Sequence, residues 1–202
     1  NRFIFNYGRS YLDREDAIPL YEPELPLTRG AILPAPGLQQ ASALRDAAPD
    51  AWGRRVILNR LLGAQGRDVD PDRLDELTYL LESGSDRIGG LDFQLSATEY
   101  VPRASQCASL EELMQAASMV ESGRPLTPEL EQALFHGSSL GGARPKAMIE
   151  AGERKFIAKF SSSTDTYNVV KAEYVAMRLA ACAGLSVAPV LLRHTAGKDV
   201  IL

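Results

Sequence analysis

Apolar residues recur along this chain at two different spacings, and the spacing changes near residue 135. Phe3, Phe5 and Tyr7 alternate with other residues, which predicts a strand. Five prolines between Pro19 and Pro36 then predict a looped or extended path in place of a long helix. Ala51-Trp52, Val56-Ile57 and Leu61-Leu62, opened by Pro49-Asp50 and closed by Gly63, predict a helix. Asp70-Pro71 opens a second, with Leu74, Leu77, Leu80 and Leu81 on one stripe. Leu91, Phe93 and Leu95 alternate after Gly89-Gly90 and predict a short strand. Ser109 and Glu112 form a capping box ahead of Leu110, Leu113, Met114, Ala117 and Val120. Gly123 and Pro125 end that helix, and Thr127-Pro128 starts a short one through Leu134.

Beyond Phe135 the pattern turns to strands. Lys146–Glu150 and Lys155–Phe160 read as a hairpin around Ala151-Gly152-Glu153-Arg154. Ser161–Thr166 is a polar loop, and Tyr167–Ala183 reads as a helix closed by Gly184. Val187–His194 and Lys198–Leu202 make a second hairpin around Ala196-Gly197. The expected fold class is α+β: an α/β unit over 1–125, then a small β-rich unit with one packed helix over 126–202. No internal repeat is visible.

Composition narrows the function classes. The chain has 202 residues, 45% hydrophobic and 24% charged, which fits a folded globular protein. Charges interrupt every apolar run before the ~18 residues a spanning helix needs. The start at Asn1 carries no basic or apolar leader, and Cys107 and Cys182 are too few for a disulfide scaffold or zinc site, so a reducing cytoplasm is expected. A net charge of −4 argues against a dedicated nucleic-acid binder. All lysines stand at or after position 146, which fits phosphate handling by the C-terminal segment.

The segment Gly137-Ser138-Ser139-Leu140-Gly141-Gly142-Ala143-Arg144-Pro145-Lys146 carries most of the candidate chemistry. Glycines let backbone amides approach phosphate oxygens, and Lys146 at the exit could neutralise one. The segment is not a Walker A loop, and a plain flexible connection is the competing reading. In Phe156-Ile157-Ala158-Lys159-Phe160, period two puts Lys159 opposite the Ala158/Phe160 face. Such a lysine either holds phosphate or is merely solvated. Glu173 stands on the helical stripe of Val169, Val170, Met177 and Ala180, so it needs a partner unless it lies at the stripe's wet edge. Lys159 is the natural partner. A Gly-rich loop, a strand Lys and a helix Glu in that order form the protein-kinase arrangement for ATP phosphates. His136 and His194 stand singly, without ligand spacing. Trp52 reads as packing, and Arg54-Arg55 as a solvated helix face.

These residues resemble the HipA-type serine/threonine kinases of bacterial toxin–antitoxin systems. The likeness rests on Phe5-Asn6-Tyr7 with Tyr11-Leu12, Ala17-Ile18-Pro19-Leu20 and Leu25-Pro26-Leu27, then on Pro49-Asp50-Ala51-Trp52-Gly53-Arg54-Arg55. Asp86-Arg87-Ile88-Gly89-Gly90-Leu91-Asp92-Phe93, Ser138–Lys146, Ile157–Phe160 and Asn168–Glu173 continue it. The resemblance implies an N-terminal subdomain over 1–125 and, over 126–202, a kinase-like nucleotide lobe. A helical lobe with the catalytic base and magnesium ligands is expected beyond Leu202, so no catalytic residue is assigned within 1–202. It implies that Gly141, Gly142, Ala143, Arg144, Pro145, Lys146 and Lys159 bind ATP, that Glu173 partners the lysine, and that Ser139 is autophosphorylated. Arg144-Pro145 departs from the loop of the best-known member.

The implied activity is transfer of the ATP γ-phosphate, with Mg2+, to Ser or Thr of a protein target, slowing growth and favouring persistence. The implied partner is a helix-turn-helix antitoxin of HipB type, through which DNA is met indirectly. Residues 1–202 alone are expected to be inactive. The rival reading is a non-enzymatic inhibitory module of a split HipA-like system.

Overall fold

The structure is a computed structural model that describes residues 2–87, 89–103, 108–135, 139–152 and 154–202. Expectations that involve Ile88, Cys107, His136, Gly137, Ser138 or Glu153 lie outside the described residues. The protein is α+β, with helices and one small antiparallel sheet. It divides into two compact units, Asn1–Ala48 and Pro49–Leu202.

The first unit is held by aromatic side chains more than by regular structure. Its helices are short, α1 (Arg9–Leu12) and α2 (Ser42–Asp46). The strand expected at Phe3–Tyr7 is reduced to a single bridge, Phe5 to Ile32. The proline-rich stretch supplies too few amides for a ladder. Its backbone groups turn to side chains instead. Tyr7 donates its hydroxyl to the Leu25 carbonyl at 2.7 Å and accepts from the Leu20 amide at 2.9 Å. Glu24 accepts from the Ser42 amide at 2.6 Å and from its hydroxyl at 2.5 Å.

In the second unit, helix α3 (Ala51–Leu62) buries Trp52, Val56, Ile57 and Leu58. The stripe expected to run from Asp70 is broken. A 3-10 turn covers Pro71–Arg73, Leu74 is extended, and α4 (Glu76–Glu82) restarts at Asp75, whose carboxylate accepts from the Thr78 amide at 2.8 Å. A second local cap thus competed successfully with helix continuation. The strand expected at 91–95 is also absent. Asp92 accepts from its neighbour Phe93 N–H at 2.8 Å, and Arg103 reaches in to Asp92 Oδ1 at 2.6 Å and the Phe93 carbonyl at 2.5 Å. Those bonds take up the amide and carbonyl of Phe93, at the middle of the segment, without a partner strand.

Helix α5 (Leu110–Glu121) carries the predicted capping box and buries Leu113, Met114, Ala116, Ala117 and Val120. Helix α6 (Pro128–Phe135) buries Ala133 and Leu134. The sheet comprises β1 (Lys146–Ala151), β2 (Arg154–Lys159), β3 (Leu192–Thr195) and β4 (Lys198–Ile201), in the order β1-β2-β4-β3. Helix α7 (Val169–Cys182) links the two hairpins. Ala147, Ala158, Phe160 and Val200 join Trp52, Val56, Leu113, Val120 and Leu134 in one core. The opposite face of β1–β2 pairs Lys146 with Lys159, Met148 with Ile157 and Glu150 with Lys155. The candidate site is built on that face.

Candidate functional site

The hairpin register sets Lys146 and Lys159 directly opposite one another on neighbouring strands. Like charges in that position repel, so each needs a local answer. Lys159 has one: its ammonium donates to Glu173 Oε1 of α7. The pair is about one-third exposed on both sides, so its worth is about 1 kcal/mol or less. What it fixes is the direction of the lysine.

Lys146 has no such answer. It is 5% exposed, and among the described residues no carboxylate comes within ion-pair distance of it. Burial lowers its pKa below the ordinary lysine value, and Lys159 lowers it further, against weaker attraction from Asp50. Its ammonium lies against Gly142, where a Cβ would sit 2.9 Å from Nζ. Gly142 has φ +101°, a conformation closed to ordinary side chains. Only glycine therefore lets the loop fold onto this ammonium.

The loop is tied to the start of α3. The Gly142 amide donates to Asp50 Oδ2 at 2.5 Å, and the Gly142 carbonyl accepts from the Trp52 amide at 3.1 Å. Trp52 also donates its indole N–H to the Lys146 carbonyl at 2.8 Å. Pro145 is buried and its carbonyl accepts from the Phe160 amide at 3.0 Å. Gly141, Gly142 and Ala143 remain exposed.

Arg144 points elsewhere. Its guanidinium pairs with Asp165 at 2.6 Å, and that bond holds the Asp165 carboxyl below its ordinary range. Arg144 and Pro145 line a cleft of about 490 Å³ with Trp52, Arg55, Glu121 and Ser162. Ser139 is half-buried and donates its hydroxyl to the Asp86 carbonyl at 3.0 Å, while the Asp86 carboxylate takes Lys155 at 2.8 Å. The structure thus gathers Gly141, Gly142, Lys146, Lys159 and Glu173, and sets Arg144 and Ser139 apart with other partners.

Sequence reasoning read Asp50 as a helix cap and Trp52 as packing. Trp52 does pack, at 1% exposure, but both also hold the loop. The one available signal was their place in the Pro49–Arg55 block. His194 contacts Asp199 at 3.0 Å on the surface, and Cys182 is free and exposed. Among the described residues no three His, Cys, Asp or Glu side chains gather to hold a metal, and no helix is long and apolar enough to cross a membrane.

Lys146, buried and without an ion-pair partner beside an exposed glycine turn, has a charge that an anion could meet. Comparison with known proteins bears on the same segment. Residues 138–202 match the HipA-like C-terminal domain family. The matched stretch runs from the Gly-rich loop through β4 and contains Lys146, Lys159 and Glu173. No curated protein and no solved structure matches the chain.

Proposed function

We propose that this chain supplies the nucleotide-holding part of a HipA-like serine/threonine protein kinase. The observation that carries the reading is Lys146, a buried lysine whose ammonium has no carboxylate partner and lies against a glycine loop beside the Lys159–Glu173 pair. The match of this segment to the HipA-like C-terminal domain supports it.

ATP, with Mg2+, would supply the transferable γ-phosphate. The chain's own residues would do the holding. Gly141 and Gly142 leave room for phosphate oxygens, since neither carries a side chain to block approach. Lys146 would meet one oxygen with a charge that burial has left uncompensated. Glu173 would keep Lys159 directed at the same place, the role of the strand-lysine and helix-glutamate pair in protein kinases. Ala143, Arg144 and Pro145 would shape the loop's far side, with Arg144 held back by Asp165. Ser139, bonded to the Asp86 carbonyl, would be the autophosphorylated residue, and its modification would add charge and break that bond. The partners in this reading are a protein substrate and a helix-turn-helix antitoxin of HipB type, in the cytoplasm.

The test is intact-mass spectrometry of the complete gene's product before and after incubation with magnesium-ATP. One added phosphate, lost in Ser139→Ala and in Lys159→Ala, is the expected result. A product that neither gains phosphate, transfers it to another protein, nor is stabilised against heat by ATP would overturn the reading. It would favour instead the inhibitory module of a split system.

A further inference from the structure

Asp50 stands at the N-cap of α3, where an aspartate ordinarily accepts from its own helix's free amides. Here its side chain makes no such bond. Its Oδ2 is spent on Gly142, whose amide donates to it at 2.5 Å across 92 residues of sequence. A Cβ added to Gly141 would lie 3.1 Å from the same oxygen, and one added to Gly142 would lie 2.9 Å from Lys146 Nζ. A carboxylate oxygen and the ammonium of a buried lysine therefore flank the same two glycines. The carboxylate also acts on Lys146 through space, raising its pKa against the burial that lowers it.

We propose that Asp50 is an internal occupant of the loop's anion seat: it holds the Gly-rich loop closed, and a phosphate-bearing ligand must displace it from the Gly142 amide. The inference rests on the nucleotide reading above and adds its regulation. The Gly142 N–H can serve one strong acceptor at a time. A phosphate approaching the closed loop meets a like charge on the very donor it needs. The Trp52 bonds to the Gly142 and Lys146 carbonyls keep β1 anchored to α3, so the motion required is a local turning of Gly141–Gly142. A ligand shifts such an equilibrium only by its preference for the open form. The preference here comes from Lys146, whose ammonium gains a full partner when phosphate replaces the more distant Asp50. The ligand class is a di- or triphosphate, because a single seat beside two lysines favours a chain of anionic groups.

The test uses the full chain with Asp50→Ala and Asp50→Asn. Because Asp50 caps no amide of α3, both variants should fold, which an unchanged far-ultraviolet spectrum would verify. The first readout needs no ligand: hydrogen exchange of the Gly142 amide by NMR. Removing a charge-assisted bond should speed that exchange about tenfold or more in Asp50→Ala, and by less in Asp50→Asn. The second readout is titration with ATP and with inorganic tripolyphosphate, where both variants should bind several-fold more tightly than the wild type. Unchanged exchange at Gly142 would show that the clasp does not exist. Faster exchange with weaker ligand binding would show that Asp50 positions the loop for phosphate, and would overturn the competition. If wild type and variants all fail to bind either ligand while Gly142 still responds, the nucleotide reading fails and takes the competition with it, leaving a structural clasp.

Discussion

Replacing Lys146 with methionine should make the protein more stable while removing the anion binding proposed for it. The lysine is 5% exposed and has no carboxylate within ion-pair distance among the described residues. A methionine of similar length keeps the packing and drops the charge. It also leaves in place the bond from the Trp52 indole, since that bond goes to the backbone carbonyl of residue 146. Replacing buried ion pairs with fitting apolar side chains ranges from neutral to a gain of ~1–4 kcal/mol, and an unpaired charge should fall on the gaining side. The lower part of that range, about 1–2 kcal/mol, fits a lysine that Asp50 partly compensates at longer range. For a unit of this size the melting temperature should rise by about 2–8 °C.

The pH dependence separates this cause from ordinary repacking. Burial lowers the folded-state pKa of Lys146 below its unfolded value. Between those two values the unfolded chain binds the extra proton, so wild-type stability rises with pH. Its handicap relative to Lys146→Met is thus full below the folded pKa, and closes as pH climbs to the unfolded value. Urea titrations of both proteins, near neutral pH and again in the alkaline range, measure this. A variant less stable than wild type, with a difference that does not change with pH, would refute the claim that burial of Lys146 leaves its charge uncompensated. Tripolyphosphate should raise the melting temperature of wild type and leave that of Lys146→Met unmoved.

Two further outcomes test the surrounding structure. Trp52→Phe keeps an aromatic ring in the core but leaves the Lys146 carbonyl without its indole donor, at a cost of about 1–3 kcal/mol readable by urea denaturation; a loss below that range would mean the bond is dispensable. Asp199, bonded to His194, Asn168 and Lys171, has its pKa lowered to about 2. A depressed carboxyl supports the fold above its unfolded value and withdraws that support as pH falls towards the folded one. Asp199→Asn should therefore lose stability chiefly above about pH 4, with the two proteins converging in strong acid; a constant gap would point to lost geometry in place of lost charge.

How much of this was legible in the chain depended on the range of the signal. Helix α5 could be read because its cap and stripe lie within its own residues, Ser109 to Val120. Lys159 and Glu173 could be paired because period two and period 3.6 each placed one of them, and both periods act locally. The strand expected at 91–95 failed for the opposite reason. Its alternation is real, but Arg103 takes the Phe93 carbonyl and the Asp92 carboxylate from outside, and nothing in Leu91–Leu95 announces that arginine. The helix expected from Asp70 failed because Asp75 offered a second cap, and periodicity carries no weight for such local competition.

Asp50 marks the limit more sharply. An aspartate before a helix is so well explained by capping that the sequence gives no reason to look further. The structure shows the cap unmade and the carboxylate spent on a glycine 92 positions away. The same loop holds a glycine at φ +101° and a buried lysine without its own counter-ion. The unmade cap and the unpaired lysine each break a local rule at some cost, and the glycine conformation is what brings them together. Two unrelieved departures around two glycines are hard to attribute to folding, which would favour relieving both. They are readily explained if the loop must stay able to open for a ligand whose charge would settle Lys146 and release Asp50.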